Sequence, residues 1–187
     1  MTTAGTISGY GITAALPPAW EGRITTLAPV APATAINRAV QATQAGRAQI
    51  TARPAAPAPG VAATGETTMP FLHLANFPLP PRRGAFGTGA VELMSGPDTL
   101  IVLFEYSADS LGTALFAPSR MPRVLHPGAF NSQALQRILP GQGGYQAFFT
   151  ESGRAFSLYV VLGSLTQAVA NLPAVNEVLA GLRIDPA

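Results

Sequence analysis

Apolar and polar positions alternate near the start of the chain. Tyr10, Ile12, Ala14 and Leu16 are separated by smaller or polar residues, so Gly9 to Leu16 reads as a half-buried strand. Pro17-Pro18 breaks the pattern, and Trp20 to Leu27 can return as a second strand. Alternation resumes from Phe71 to Phe77, which places Phe71, His73, Ala75 and Phe77 on one face. Thr99 to Tyr106 differs, because Leu100 to Phe104 is continuously apolar, as in a central strand covered on both faces. Tyr145 to Thr150 and Ala155 to Leu162 flank Glu151-Ser152-Gly153-Arg154 and read as a hairpin around a four-residue loop. Leu135 to Leu139 fits either a strand or a short helix.

The chain closes on a period near 3.6. Leu172, Val175, Leu179 and Leu182 form one stripe, which predicts a helix over Asn171–Ile184. Asn171 serves as N-cap, Pro173 sits in the first turn, Arg183 suits the last turn, and Asp185-Pro186 ends the element. Between the first strands and Phe71, residues Ala28 to Pro70 carry mostly Ala, Thr and Pro and no aromatic side chain. Ile36 to Ile50 has weak helical propensity, and Ala52 to Gly60 is Pro-rich and extended. The expectation is a single domain over 1–187, with 28–70 a low-complexity surface insertion. Its fold class is α+β, a curled antiparallel sheet with the C-terminal helix packed on it.

Composition changes this picture in one respect. The apolar fraction of 48% is ordinary, but charged residues make up only 11%, against about 25% in typical soluble domains. All the basic residues are arginine, and only Arg82-Arg83 are adjacent. A net charge of +2 without a basic stripe disfavours nucleic acid. A surface with so few charges is poorly protected against association, so a protein partner or homo-oligomer is expected. There is no cysteine, which excludes disulfides, thiol nucleophiles and Cys-ligated metals. The N-terminus has no basic region followed by an apolar stretch, and no apolar run is long enough to span a bilayer. No signal peptide and a cytoplasmic location are the expectations.

Two resemblances add to the fold reading. Tyr10-x-Ile12-x-x-x-Leu16-Pro17-x-x-Trp20 is similar to the opening of Mog1/PsbP-like domains. That likeness implies a curled antiparallel sheet closed by a helix, in a family whose members mostly bind other proteins. Trp20-Glu21-Gly22-Arg23-Ile24, the Leu72–Pro80 stretch, Gly87-x-Gly89-Ala90-Val91-Glu92, Leu135-Gln136-Arg137, Pro140-Gly141-Gln142 and Phe148 to Gly163 look like an uncharacterised actinobacterial protein family. That second likeness implies no catalytic residue.

Candidate chemistry is sparse. His73 and His126 are the only histidines, and a metal site would need both with a carboxylate such as Glu92 or Glu105. His73, between aromatics in a strand, is more simply a hydrogen-bonded structural residue, and His126 before Pro127 a solvated one. No Gly-x-Ser-x-Gly occurs, and Ser95 reads as a turn residue between strands. Gly9-x-Gly11-x-x-Ala14 runs into a strand rather than a helix, so it cannot hold a dinucleotide pyrophosphate. Gly141 to Gly144 lacks a P-loop lysine and reads as a tight turn. Glu92, Asp98, Glu105 and Glu151 could pair for acid–base work only if the fold brings them together. The one candidate binding motif is Pro78, Pro80, Pro81, Arg82 and Arg83, a proline-rich segment ending in arginine that suits an aromatic groove. No catalytic residue, cofactor or metal ligand is assigned. The functional expectation is a non-catalytic interaction or assembly domain; the alternative is a small enzyme or ligand-binding protein with a site assembled from scattered residues.

Overall fold

A computed structural model describes residues 5–27 and 69–186. Over these residues it is an α+β fold of two open antiparallel sheets and a C-terminal helix. The strands are β1 (Gly5–Gly9), β2 (Ile12–Leu16), β3 (Glu21–Leu27), β4 (Met69–Ala75), β5 (Thr99–Tyr106), β6 (Gly143–Glu151), β7 (Arg154–Leu162) and β8 (Leu182–Ile184), and the helix is α1 (Ala168–Gly181). The larger sheet has the order β3-β4-β5-β7-β6, and the smaller one β1-β2-β8.

The continuously apolar stretch is β5, the middle strand of five, as its pattern predicts. Ile101 and Leu103 point to one face with Leu72, Leu74, Phe156, Leu158 and Val160, where Leu172, Val175, Val178 and Leu179 of α1 meet them. Ile12, Ala14 and Leu16 of β2, with Leu182 and Ile184 of β8, complete this core. Leu100 and Val102 point to the other face, beneath Phe77, Leu79, Ala90, Val91 and Leu135 of the long connections. Both faces are therefore covered, which is what an unbroken apolar strand requires.

Three expectations change at the edges of elements. Tyr10 does not belong to a strand: Tyr10-Gly11 is a two-residue turn with φ of 54° and 68°, joining β1 to β2. Positive φ at both central positions matches the right-handed twist of a hairpin, and Gly11 supplies the second without strain. The β6–β7 connection is tighter than a four-residue loop, because Glu151 and Arg154 pair and only Ser152-Gly153 turns, at φ 54° and 74°. The helix begins at Ala168 and stops at Gly181, so Asn171 is not its N-cap and Pro173 lies inside it. Leu182–Ile184 forms β8 against β2 instead, where Leu182 and Ile184 are buried and Arg183 between them is exposed. A strand's two-residue period thus takes over where the helical stripe seemed to continue. Leu135 to Leu139 is neither strand nor helix.

The smaller sheet lies on the β3–β4 end of the larger one, and this contact depends on Gly22. A Cβ there would sit 3.0 Å from Ile7 and from Leu74, and 3.2 Å from Leu16.

The weak helix over 36–50 and the Pro-rich 52–60 stretch lie outside the described residues. Met69 and Pro70, counted with the insertion on composition, are strand residues of β4. Leu27 and Met69 are direct ladder partners. A variant in which an Asn-Gly turn replaces 28–68 is therefore expected to fold, since that turn type joins facing strands. Its thermal midpoint should fall by less than about 10 °C. A larger drop in a melting experiment would show that 28–68 contributes to the core.

Candidate functional site

Polar groups collect at three places, and each must be separated from the fold's own needs. The first is His73 on β4, which is fully buried. Register places it in a row with Val102, Tyr159 and Gln146 across the sheet. Its Nδ1 accepts a hydrogen bond from Arg83 Nε at 3.1 Å, and its ring meets Phe71 edge-on at 5.1 Å. An Nδ1 that accepts requires the neutral imidazole carrying its proton on Nε2, and Nε2 finds no partner among the described residues. Burial above all, then the Arg83 guanidinium, holds the His73 pKa down to about 4, while the carbonyls of Ala85 and Gly84 oppose this.

The proline-rich segment runs beside this histidine. Leu79 is buried and its N–H donates to Glu21 Oε2 at 3.1 Å. Arg83 turns inward, its Nη1 donating to Pro80 O at 2.9 Å while Nε holds His73. Pro78, Pro81 and Arg82 are exposed, and Pro80 is half-buried. The terminal arginine pair is therefore split, with Arg82 outward and Arg83 tied to the fold.

The second place is Arg154, at the start of β7 and only 8% exposed. It donates Nε to Glu105 Oε1 at 2.8 Å and Nη2 to Glu105 Oε2 at 2.6 Å, a bidentate pair. Nη2 also reaches Tyr10 O at 2.8 Å, and Nη1 reaches Gly11 O at 3.3 Å and Asp185 O at 3.1 Å. All five N–H groups are engaged, so one side chain joins β5, the β1–β2 turn and the C-terminal segment. Beside it lies a cleft of about 180 Å³, walled mainly by Met69, Pro70, Tyr106, Leu111 and Ala155.

The third place repeats this logic. Arg123 pairs with Glu151 at 2.7 Å and donates to the carbonyls of Leu179 and Leu182, closing the end of α1. Glu151 also accepts from Met121 N at 2.8 Å. An open polar depression of about 570 Å³ lies alongside, lined by Ser119, Arg120, Thr150 and Ser152 among others.

The four candidate carboxylates are thus dispersed. Glu92 faces Arg137 at 3.3 Å, Glu105 faces Arg154, Glu151 faces Arg123, and Asp98 caps Ser95 N and Oγ at 2.7 and 2.8 Å. Ser95 is the turn residue expected of it, and His126 is exposed. No cluster of three metal-ligating side chains occurs among the described residues, and no helix there is long and apolar enough to cross a membrane.

The surface carries a different signal, one the sequence did not separate from core. Leu93 is 65% exposed and Ile138 is 60% exposed. The Glu92–Arg137 ion pair, and a 2.8 Å bond from Gln142 Nε2 to Val91 O, bring their two chain segments side by side. Half-buried Met94 and Leu139 lie next to them and pack on the core cluster containing Val91 and Leu135. The result is an apolar outcrop of the core, flanked by charges that cancel. No family model, curated protein or solved structure matches this chain.

Proposed function

We propose that this chain is a non-catalytic assembly domain that associates with further copies of itself through the Leu93–Ile138 outcrop. The observation that carries this is the pairing of two highly exposed aliphatic side chains with the Glu92–Arg137 ion pair beside them. A two-fold contact sets a patch against its own copy, so a patch of one charge would repel itself. Here Glu92 of one copy can face Arg137 of the other, and the aliphatic groups meet between them. Few further charges need desolvation, because only 11% of the chain is charged.

Two of the other arginines support the same reading. Arg123 and Arg154 are committed to carboxylates and carbonyls that hold the fold together, leaving them unavailable to a phosphate backbone or a reacting substrate. The likeness of the Tyr10–Trp20 motif to Mog1/PsbP-like domains, which mostly bind proteins, points the same way. A cytoplasmic setting is part of the proposal.

The test is solution mass. By light scattering coupled to size exclusion, at micromolar concentration and moderate salt, the protein is expected at a multiple of 19.2 kDa. Leu93→Glu with Ile138→Glu should return it to the monomer mass, because two buried like charges at the contact cost several kcal/mol, about enough to abolish micromolar binding. A wild-type protein that runs as a monomer overturns the proposal.

A further inference from the structure

The geometry points to the cleft beside Glu105 as a binding site for a small uncharged aromatic molecule bearing one N–H or O–H donor, of the phenol or indole kind. Its volume, about 180 Å³, is that of a cavity which encloses one ring, since an apolar space of about 150 Å³ takes up benzene. The space therefore accommodates one or two fused rings. Met69, Pro70, Leu111 and Ala155 supply an apolar wall, which selects an apolar body.

Charge at the rim sets the rest of the chemistry. Arg154 lines the cleft but has no free N–H, because all five are engaged with Glu105, Tyr10, Gly11 and Asp185. An anionic ligand would find no free charged donor there, only the Ser107 hydroxyl. Glu105 also lines the cleft, and its charge is neutralised by Arg154 at 2.6 Å, so a cation gains little. Yet each carboxylate oxygen has accepted only one bond from the guanidinium, and an oxygen can accept a second. The Glu105 side chain is 17% exposed, so that capacity is reachable. A neutral donor is what remains.

Tyr106, 7% exposed, adds an aromatic side chain to the same wall. This site is separate from the Leu93–Ile138 outcrop and does not depend on assembly.

The experiment is a methyl and amide NMR titration of the full chain with five probes: phenol, indole, benzene, benzoate and benzylammonium. Phenol and indole are expected to shift the Ala155 and Leu111 methyl signals, with affinities near 1 mM or tighter. Benzene should bind at least about threefold more weakly, corresponding to part of one hydrogen bond. Benzoate and benzylammonium should leave those signals unmoved. Ala155→Leu, which fills the cleft, should remove the shifts. Should that variant not fold, Leu111→Trp closes the same space from the loop side. No shift with phenol or indole, an equal response to benzoate, or unchanged binding in a folded filled variant each overturns the inference.

Discussion

Replacing Arg154 with methionine should cost about 3–5 kcal/mol of stability, the usual penalty for leaving one member of a buried ion pair without its partner. Arg154 is 8% exposed and its bidentate carboxylate, Glu105, has no other cation among its bonded neighbours. The substitution also strips the carbonyls of Tyr10, Gly11 and Asp185 of their donor. Tyr10 holds a positive φ of 54°, a conformation that surrounding structure must enforce, so the β1–β2 turn should loosen first. Urea denaturation followed by circular dichroism measures the total loss. Hydrogen exchange should show it concentrated in 9–12 and 184–186. The double variant Arg154→Met, Glu105→Leu should recover part of the loss, since removing both charges relieves the unpaired carboxylate but not the three carbonyls. A single variant within about 1 kcal/mol of wild type would mean that Arg154 is not the clasp its geometry indicates.

The second large effect is on pH. His73 is neutral in the folded protein, with its pKa lowered from 6.5 to about 4 by burial and by Arg83. In the unfolded chain it takes up a proton near 6.5, so between 6.5 and 4 the unfolded state binds more protons than the native state. Stability contributed by neutral His73 is therefore complete above pH 6.5 and is lost as pH falls towards 4. Across that window the loss should approach about 3 kcal/mol. Arg83 faces His73 directly, Arg23 pairs with it across β3, and Glu21 lies near Arg83, so the charged surroundings of a protonated imidazole are mostly positive. His73→Gln keeps an acceptor for Arg83 and cannot titrate. The stability difference between wild type and this variant, followed by urea denaturation from pH 7.5 to 4, should shrink by about the same amount. A difference independent of pH would show that His73 has the same pKa in the folded and unfolded states, and so is not held neutral by the fold. Heteronuclear NMR of the imidazole at pH 7 should further show the proton on Nε2.

Much of the fold follows from periodicity read along the chain. The five continuous apolar residues of Leu100–Phe104 place β5 at the centre, because only a strand covered on both faces tolerates them. Alternation located β2 and β4, the break at Pro17-Pro18 set off β3, and the glycine-containing loop between Thr150 and Ala155 located β6 and β7; the structure adds their order and register. His73 could be identified as a structural histidine from its aromatic neighbours on β4, and Ser95 as a turn residue from Gly-Pro beside it. These are local properties, carried by residues within one or two turns of the backbone.

What tertiary structure alone decided involves groups far apart in sequence. Leu182 and Ile184 fit a helical stripe and a strand equally well, and pairing with β2 settled them as strand, a partner some 170 positions away. Arg154 carried no motif, since its five acceptors come from Tyr10, Gly11, Glu105 and Asp185. Arg83 reads in sequence as the end of a docking segment, and only the fold sets His73 within 3.1 Å of it. Leu93 and Ile138 are ordinary core residues by type, and only the packing of two irregular connections leaves them outside. Composition and period determine which segments can be buried, because each segment carries its own apolar pattern. Which charges become clasps and which apolar groups stay exposed depends on long-range contacts, and no local pattern encodes those.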